Sequence, residues 1–296
     1  MNVLITGATG FIGRALTAHL AWLGHDITAV SRDPARASAL LRVRACAWDA
    51  LPATDAIIHL AGESVAGIWT PWKRRRILES RVNTTRQLAA HPARVFLSAS
   101  AVGYYGDRPG EVLTESSPPD PANRFRAQVC RAWEDATGCA QGRVVQLRLG
   151  HVLALDGGYI GALLPLFRIG AGCIFGNAAA RVSWITICDT VRLIGFALEN
   201  DRFSGPLNIT TPNSISQSEL ARGIAAHCNR RVLTRIPAWL LRACLGEAAQ
   251  ALIEDQNIRP AKALDAGFRF EFPAWNGVRE IIFVGGSQHT PNRATT

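Results

Sequence analysis

The chain has 296 residues, enough for one large domain or two small ones around a substantial buried core. Hydrophobic residues make up 48% and charged residues 19%, which excludes a disordered or collagen-like chain. Thirty-two Lys and Arg against 23 Asp and Glu leave +9, a charge compatible with nucleic acid or with an anionic small molecule.

The first half alternates strand-like and helix-like segments. Short β-rich runs at 3–6, 27–31, 45–48, 56–61, 95–100 and 144–149 are separated by helical stretches near 11–23, 34–42, 72–90 and 123–137. Several of the runs are continuously apolar, as parallel strands covered on both faces are. The alternation predicts an α/β fold, a Rossmann-type doubly wound parallel sheet with right-handed crossovers, over residues 1–150. From 151 to 283 the pattern becomes irregular. Helices near 158–169, 189–199, 216–228 and 237–254 and short strands at 207–210 and 268–272 predict a smaller α+β substrate lobe, with some chain returning to the sheet. The polar run 284–296 reads as a disordered tail.

The first strand leads into Gly7-Ala8-Thr9-Gly10-Phe11-Ile12-Gly13 and then an amphipathic helix. Gly7 permits a tight turn, Gly10 lets backbone N–H groups approach a pyrophosphate, and Gly13 lets helix and strand pack closely. Thr9, Phe11 and Ile12 fall in the same turn and first helical positions, where the helix amino terminus faces phosphate. About 20 residues further on, where an NAD site carries Asp or Glu, the chain reads Ser31-Arg32. A hydroxyl and a guanidinium suit a 2′-phosphate, so NADP(H) is the expected cofactor. Asp33 before Pro34 reads as the start of the next helix.

The cluster Lys73-Arg74-Arg75-Arg76, followed by Ile77, Leu78 and Val82 at helical spacing, reads as the solvated face of an amphipathic helix, and no nucleic-acid partner is expected. Seven cysteines without a C-x-x-C pair predict neither a disulfide framework nor a zinc site, and no metal is expected. No apolar run reaches the roughly 18 residues of a membrane span, and the amino terminus lacks a signal-peptide pattern. A cytoplasmic protein with no membrane partner is therefore expected.

Several motifs in order resemble the extended short-chain dehydrogenases/reductases, and within them the atypical nucleoside-diphosphate-sugar epimerase-like subgroup that also carries a SulA-type name. They are Gly7 to Gly13, His59-Leu60-Ala61-Gly62-Glu63, Trp72-Lys73, Ser80-Arg81, Ser98 to Gly106, Trp133-Glu134, Asp156-Gly157-Gly158, Ser183-Trp184-Ile185, Gly205 to Asn208, Pro260 and Gly267-Phe268. The resemblance spans nearly all of residues 1–283. It implies cofactor contacts at Leu60, Ala61, Arg81 and Val152, and a serine at the end of the fifth strand, in register with Ser100.

It also implies a Tyr-x-x-x-Lys pair, in which the lysine lowers the tyrosine pKa for proton transfer. Tyr104, Tyr105 and Tyr159 are followed four residues later by Arg108, Pro109 and Leu163, and alignment through Trp133-Glu134 puts Arg126 and Cys130 at the two positions. The pair is absent. Ser100 with Tyr105 or Tyr104 is the remaining hydroxyl set for catalysis. Two readings stay open. One is an NADP(H)-dependent oxidoreductase or epimerase acting on a small, nucleotide-linked or free, substrate; the other is a catalytically impaired NADP(H)-binding regulator. The helices near 72–90 and 123–137 are the candidate seam of a homodimer.

Overall fold

The computed structural model describes residues 1–155 and 157–275. The tail at 284–296 and Asp156 lie outside the described residues.

Seven parallel strands form the central sheet: β1 (Asn2–Thr6), β2 (Asp26–Val30), β3 (Arg44–Cys46), β4 (Ala56–His59), β5 (Val95–Ala101), β6 (Arg143–Leu149) and β7 (Gly205–Ile209). Their spatial order is β7-β6-β5-β4-β1-β2-β3, so the direction of strand addition reverses between β1 and β4, the crevice where such sheets bind ligands. Ile5 stands beside Ala29 and Ile58. Because side chains alternate across a strand, Ile5 joins the face packed on α1 (Phe11–Trp22) and α6 (Ile187–Glu199), while Leu4 joins Ile57, Leu88 and Phe96 on the other. Helices α2 (Pro34–Leu41), α3 (Pro71–Ala89) and α4 (Phe125–Asp135) complete the crossovers.

The carboxyl-terminal lobe has its own core, in which Trp184 packs with Leu153, Ile160, Phe167, Leu220 and Ile224. It contains α5 (Gly158–Arg168), α7 (Gln217–His227), α8 (Ala238–Leu245) and a short helix at Gln250–Ile253. The capping box of Ser216 and Glu219 starts α7. Instead of one helix over 237–254, α8 stops at Gly246, whose φ of +60 favours glycine, and a 3₁₀ turn follows.

Residues 268–272, expected as a strand, pair with no strand among the described residues. The N–H groups of Glu271 and Phe272 donate instead to the Asp189 carboxylate, both at 2.9 Å. Thr186 is the N-cap of α6, so the buried Asp189 is free to clamp this segment and to pair with Arg192. All seven cysteines are free thiols.

Candidate functional site

The turn after β1 is held by geometry that tolerates no side chain. Gly7 sits at φ +69, and a Cβ on it would stand 2.8 Å from Leu60 C and Ala61 N. A Cβ on Gly13 would meet the Gly7 carbonyl oxygen at 2.1 Å. Gly10 donates to that carbonyl at 2.9 Å and caps α1 without a side chain, and no acidic residue occupies the first turn. The first-turn N–H groups of Phe11, Ile12 and Gly13 therefore face the crevice with no capping side chain. Thr9 is exposed at the turn. The Phe11 ring lies against Gly157 and Gly158, where a Cβ would approach it to 2.4 and 2.7 Å. The second lobe thus closes directly over the start of α1.

At the end of β2, Ser31 is half-buried and its hydroxyl accepts from Asp33 N at 3.1 Å. Asp33 caps α2 through Arg36 N, so its carboxylate is committed to the helix start. Arg32 is exposed and forms no ion pair with a described residue. Ser31 and Arg32 thus stand where an NAD site carries Asp or Glu. The glycine turn, the uncapped helix start and this basic strand end together fit a dinucleotide with an extra phosphate.

Leu60 and Ala61 follow β4 and rest on the first strand, with Leu60 N donating to Thr6 O at 3.2 Å and Ala61 N to Thr6 Oγ1 at 3.3 Å. Behind them is a polar chain that sequence reasoning missed. Thr84 donates to Ser80 O at 2.6 Å, so it accepts from His59 Nε2 at 3.1 Å. His59 Nδ1 then accepts from Thr6 Oγ1 at 2.6 Å. Thr6, His59 and α3 are thereby tied under the glycine turn. Burial, helped by Arg81, lowers the His59 pKa to about 3, so the ring is neutral in the folded chain. The unfolded chain gains a proton near pH 6.5 that the folded chain refuses until about pH 3, so stability falls with pH between these values. Lowering the pH from 7 to 5 is expected to remove about 2 kcal/mol through this ring. Denaturant titrations at both pH values check it: His59→Gln should lose that much less on acidification than the parent chain.

Arg81 is a strut under the same loop. Its Nη1 donates to the carbonyls of Glu63 and Ile77, each at 3.1 Å, and its guanidinium stacks on Trp133 at 4.9 Å. Val152 is buried on the strand His151–Ala154, beside Ile185. The basic run on α3 is paired with three carboxylates: Lys73 and Arg76 with Glu63, Arg75 with Glu79, and Arg74 with Glu247 of the second lobe.

The hydroxyls considered for catalysis are drawn into the interior. Ser100 is 1% exposed and donates to Glu134 at 2.7 Å. Glu134 accepts two parallel bonds from Arg148, both at 2.8 Å, and Arg148 donates to the Tyr105 hydroxyl at 2.9 Å. Tyr105 is fully buried and donates to Asn208 at 2.7 Å; burial pushes its pKa up to about 12. Tyr104, half-buried, is stacked under Arg148 at 3.5 Å. A phenol with its oxygen and its proton both engaged in hydrogen bonds is poorly placed to exchange a proton with a substrate. Cys130 is also buried, with its pKa raised to about 11 by desolvation. Arg126 instead forms an ion pair with Glu254 of the second lobe. The 128-residue separation of that pair left no local signal in the sequence.

Among the described residues, no helix is long and apolar enough to cross a membrane, and no cluster of His, Cys, Asp and Glu is arranged to hold a metal ion.

The model of the NAD dependent epimerase/dehydratase family matches residues 3–210, and a domain of unknown function (DUF1731) matches 236–278. The epimerase family protein SDR39U1 homolog, chloroplastic, of Arabidopsis thaliana is 32% identical over 293 residues, covering 92% of this chain and 84% of that protein. Epimerase family protein YfhF of Bacillus subtilis is 32% identical over 292 residues, 92% of this chain and 94% of its own. The crystal structure of human epimerase family protein SDR39U1 (isoform 2) with NADPH is similar at a TM-score of 0.87 and 31% identity, over 96% of this chain and 99% of that one.

Proposed function

The chain belongs to the NAD dependent epimerase/dehydratase family, and from that membership we propose that it binds NADP(H) at the glycine turn and acts in the cytoplasm on a small substrate under the second lobe. The observation that carries this reading is the cradle itself. Gly7 and Gly13 leave no room for a Cβ, the start of α1 is uncapped, and Ser31-Arg32 replaces the carboxylate of an NAD site. The NADPH in the human relative's crystal structure supports the same cofactor.

In this proposal Gly7, Thr9, Gly10, Phe11 and Ile12 surround the pyrophosphate, Ser31 and Arg32 hold the 2′-phosphate, and Leu60, Ala61 and Val152 line the nucleotide. Arg81 supports the loop that carries Leu60 and Ala61. The nicotinamide supplies hydride chemistry when bound. The chain's own residues bind and orient it, with Phe11 packed against Gly157 and Gly158 of the second lobe at the start of α1. Arg32→Ala is expected to weaken NADPH binding by about 10- to 100-fold, as loss of a charge-assisted contact does, and to leave NADH binding unchanged. Parallel fluorescence titrations test it, and equal weakening of both nucleotides would sink the 2′-phosphate assignment.

A second reading, an NADP(H)-binding regulator without turnover, is favoured by the burial of Ser100 and Tyr105 in one hydrogen-bonded network. Exchange of deuterium from labelled NADPH into a carbonyl panel separates the two. Transfer to any member supports the enzyme, and tight binding with none supports the regulator.

A further inference from the structure

The cluster around Arg126 bears on the substrate, and its role there rests on the NADP(H) reading of the glycine turn. Arg126 stands in the first turn of α4, with its guanidinium over Gly103: Nε, Nη2 and Cζ lie 3.1, 3.2 and 3.3 Å from where a Cβ would be. Its partner Glu254 comes from the other lobe, just after the helix Gln250–Ile253. Gln256 donates to Glu254 at 3.3 Å and to the carbonyls of Val102 and Gly106 at 3.1 and 2.8 Å. His151 lies beside the same segment, 3.2 Å from the carbonyl of Ala251. These groups collect outside the carboxyl ends of β5 and β6, the edge at which open α/β sheets take their ligands.

Most other polar groups along that edge are committed. Ser100, Glu134, Arg148 and Tyr105 bond to one another, and Arg81 is held by two carbonyls. Arg126 is different, because its charge is met by a carboxylate supplied from across the crevice. A guanidinium stays charged throughout the folded range and offers a planar fork suited to a carboxylate. The side chains of Arg126 and Glu254 are only 16% and 6% exposed. Opening such a buried pair strands both charges, so Glu254 can leave Arg126 only if another anion takes its place. Burial raises the Glu254 carboxyl above its ordinary value, against the pull of Arg126.

We propose that Arg126 anchors a carboxylate of the substrate, and that Glu254 occupies that place in the ligand-free chain. The substrate class is thus a small carboxylic acid.

Oxalate, with its neutral isostere oxamide as control, is the probe, titrated calorimetrically into the full chain with and without NADPH. Oxalate should bind and oxamide should not. Glu254→Gln, which keeps shape but removes the competing charge, should tighten oxalate at least threefold, and Arg126→Gln should weaken it at least tenfold. Oxalate affinity unchanged or weakened by Glu254→Gln overturns the proposal, as does indifference to Arg126→Gln or no oxalate binding to either the parent or Glu254→Gln. If Arg126→Gln fails to fold, the comparison of parent with Glu254→Gln decides alone. NADPH affinity is measured on the same samples. Its absence would sink the cofactor reading, while the oxalate pattern without nucleotide would still decide this one.

Discussion

Gly13→Ala should lower stability by about 3 kcal/mol, at the upper end of overpacking, and should abolish measurable NADPH binding. The added Cβ would stand 2.1 Å from the Gly7 carbonyl oxygen and 2.7 Å from Ala8 Cα, both backbone atoms that no rotamer change can move. To relieve the contact α1 must move off β1, and with it go the first-turn N–H groups that face the crevice. Gly10→Ala is the informative contrast. Its Cβ would meet the Gly7 carbonyl oxygen at 3.1 Å, tight but relieved by a shift of a few tenths of an ångström. That variant should melt near the parent temperature, yet bind NADPH about tenfold more weakly because the methyl group occupies the phosphate face. Thermal unfolding with NADPH titration separates the two. Equal melting temperatures for Gly13→Ala and parent would remove the packing role assigned to Gly13.

Arg148→Met should cost about 3–5 kcal/mol, the usual loss when one member of a buried ion pair is removed. Arg148 is 4% exposed in its side chain and serves Glu134, the Tyr105 hydroxyl and the face of Tyr104 at once. Without it Glu134 is left as a nearly buried carboxylate whose remaining partner among the described residues is Ser100. The double variant Glu134→Leu with Arg148→Met removes the stranded charge and should recover at least half of the loss, as measured by denaturant unfolding. If the two single losses simply add, the network is not coupled as described. The same experiment bears on chemistry, because a network required for the fold explains why Ser100 and Tyr105 turn away from the crevice.

The legible part of the molecule is the part governed by local pattern. Apolar runs separated by helical stretches report parallel strands whatever their partners are, and the order β3-β2-β1-β4-β5-β6 is the one that right-handed crossovers produce. The glycine turn is legible because each glycine answers a local steric demand. The rest depends on which face a residue takes or on distant pairing. Ser98 and Ser100 alternate with Ala99 and Ala101 along β5, and nothing local says that the face carrying Ser100 meets Glu134 on α4. His59 ends an apolar strand and reads as an ordinary core residue until Thr6 and Thr84, 53 positions before it and 25 after, are brought to its two nitrogens. The extended run 268–272 has strand composition, yet its backbone is claimed by Asp189, so no strand forms. Gly246 signals the break of the last long helix, but the strong helix formers on either side of it mask that signal.

Amide hydrogen exchange on the full chain, with and without saturating NADPH, tests most directly whether the cradle is the cofactor site. Binding there predicts slowed exchange in residues 7–14 at the turn and the start of α1, in 31–33 after β2, and in 60–63 after β4. Binding of NADPH that leaves 7–14 unprotected and slows exchange elsewhere would contradict it.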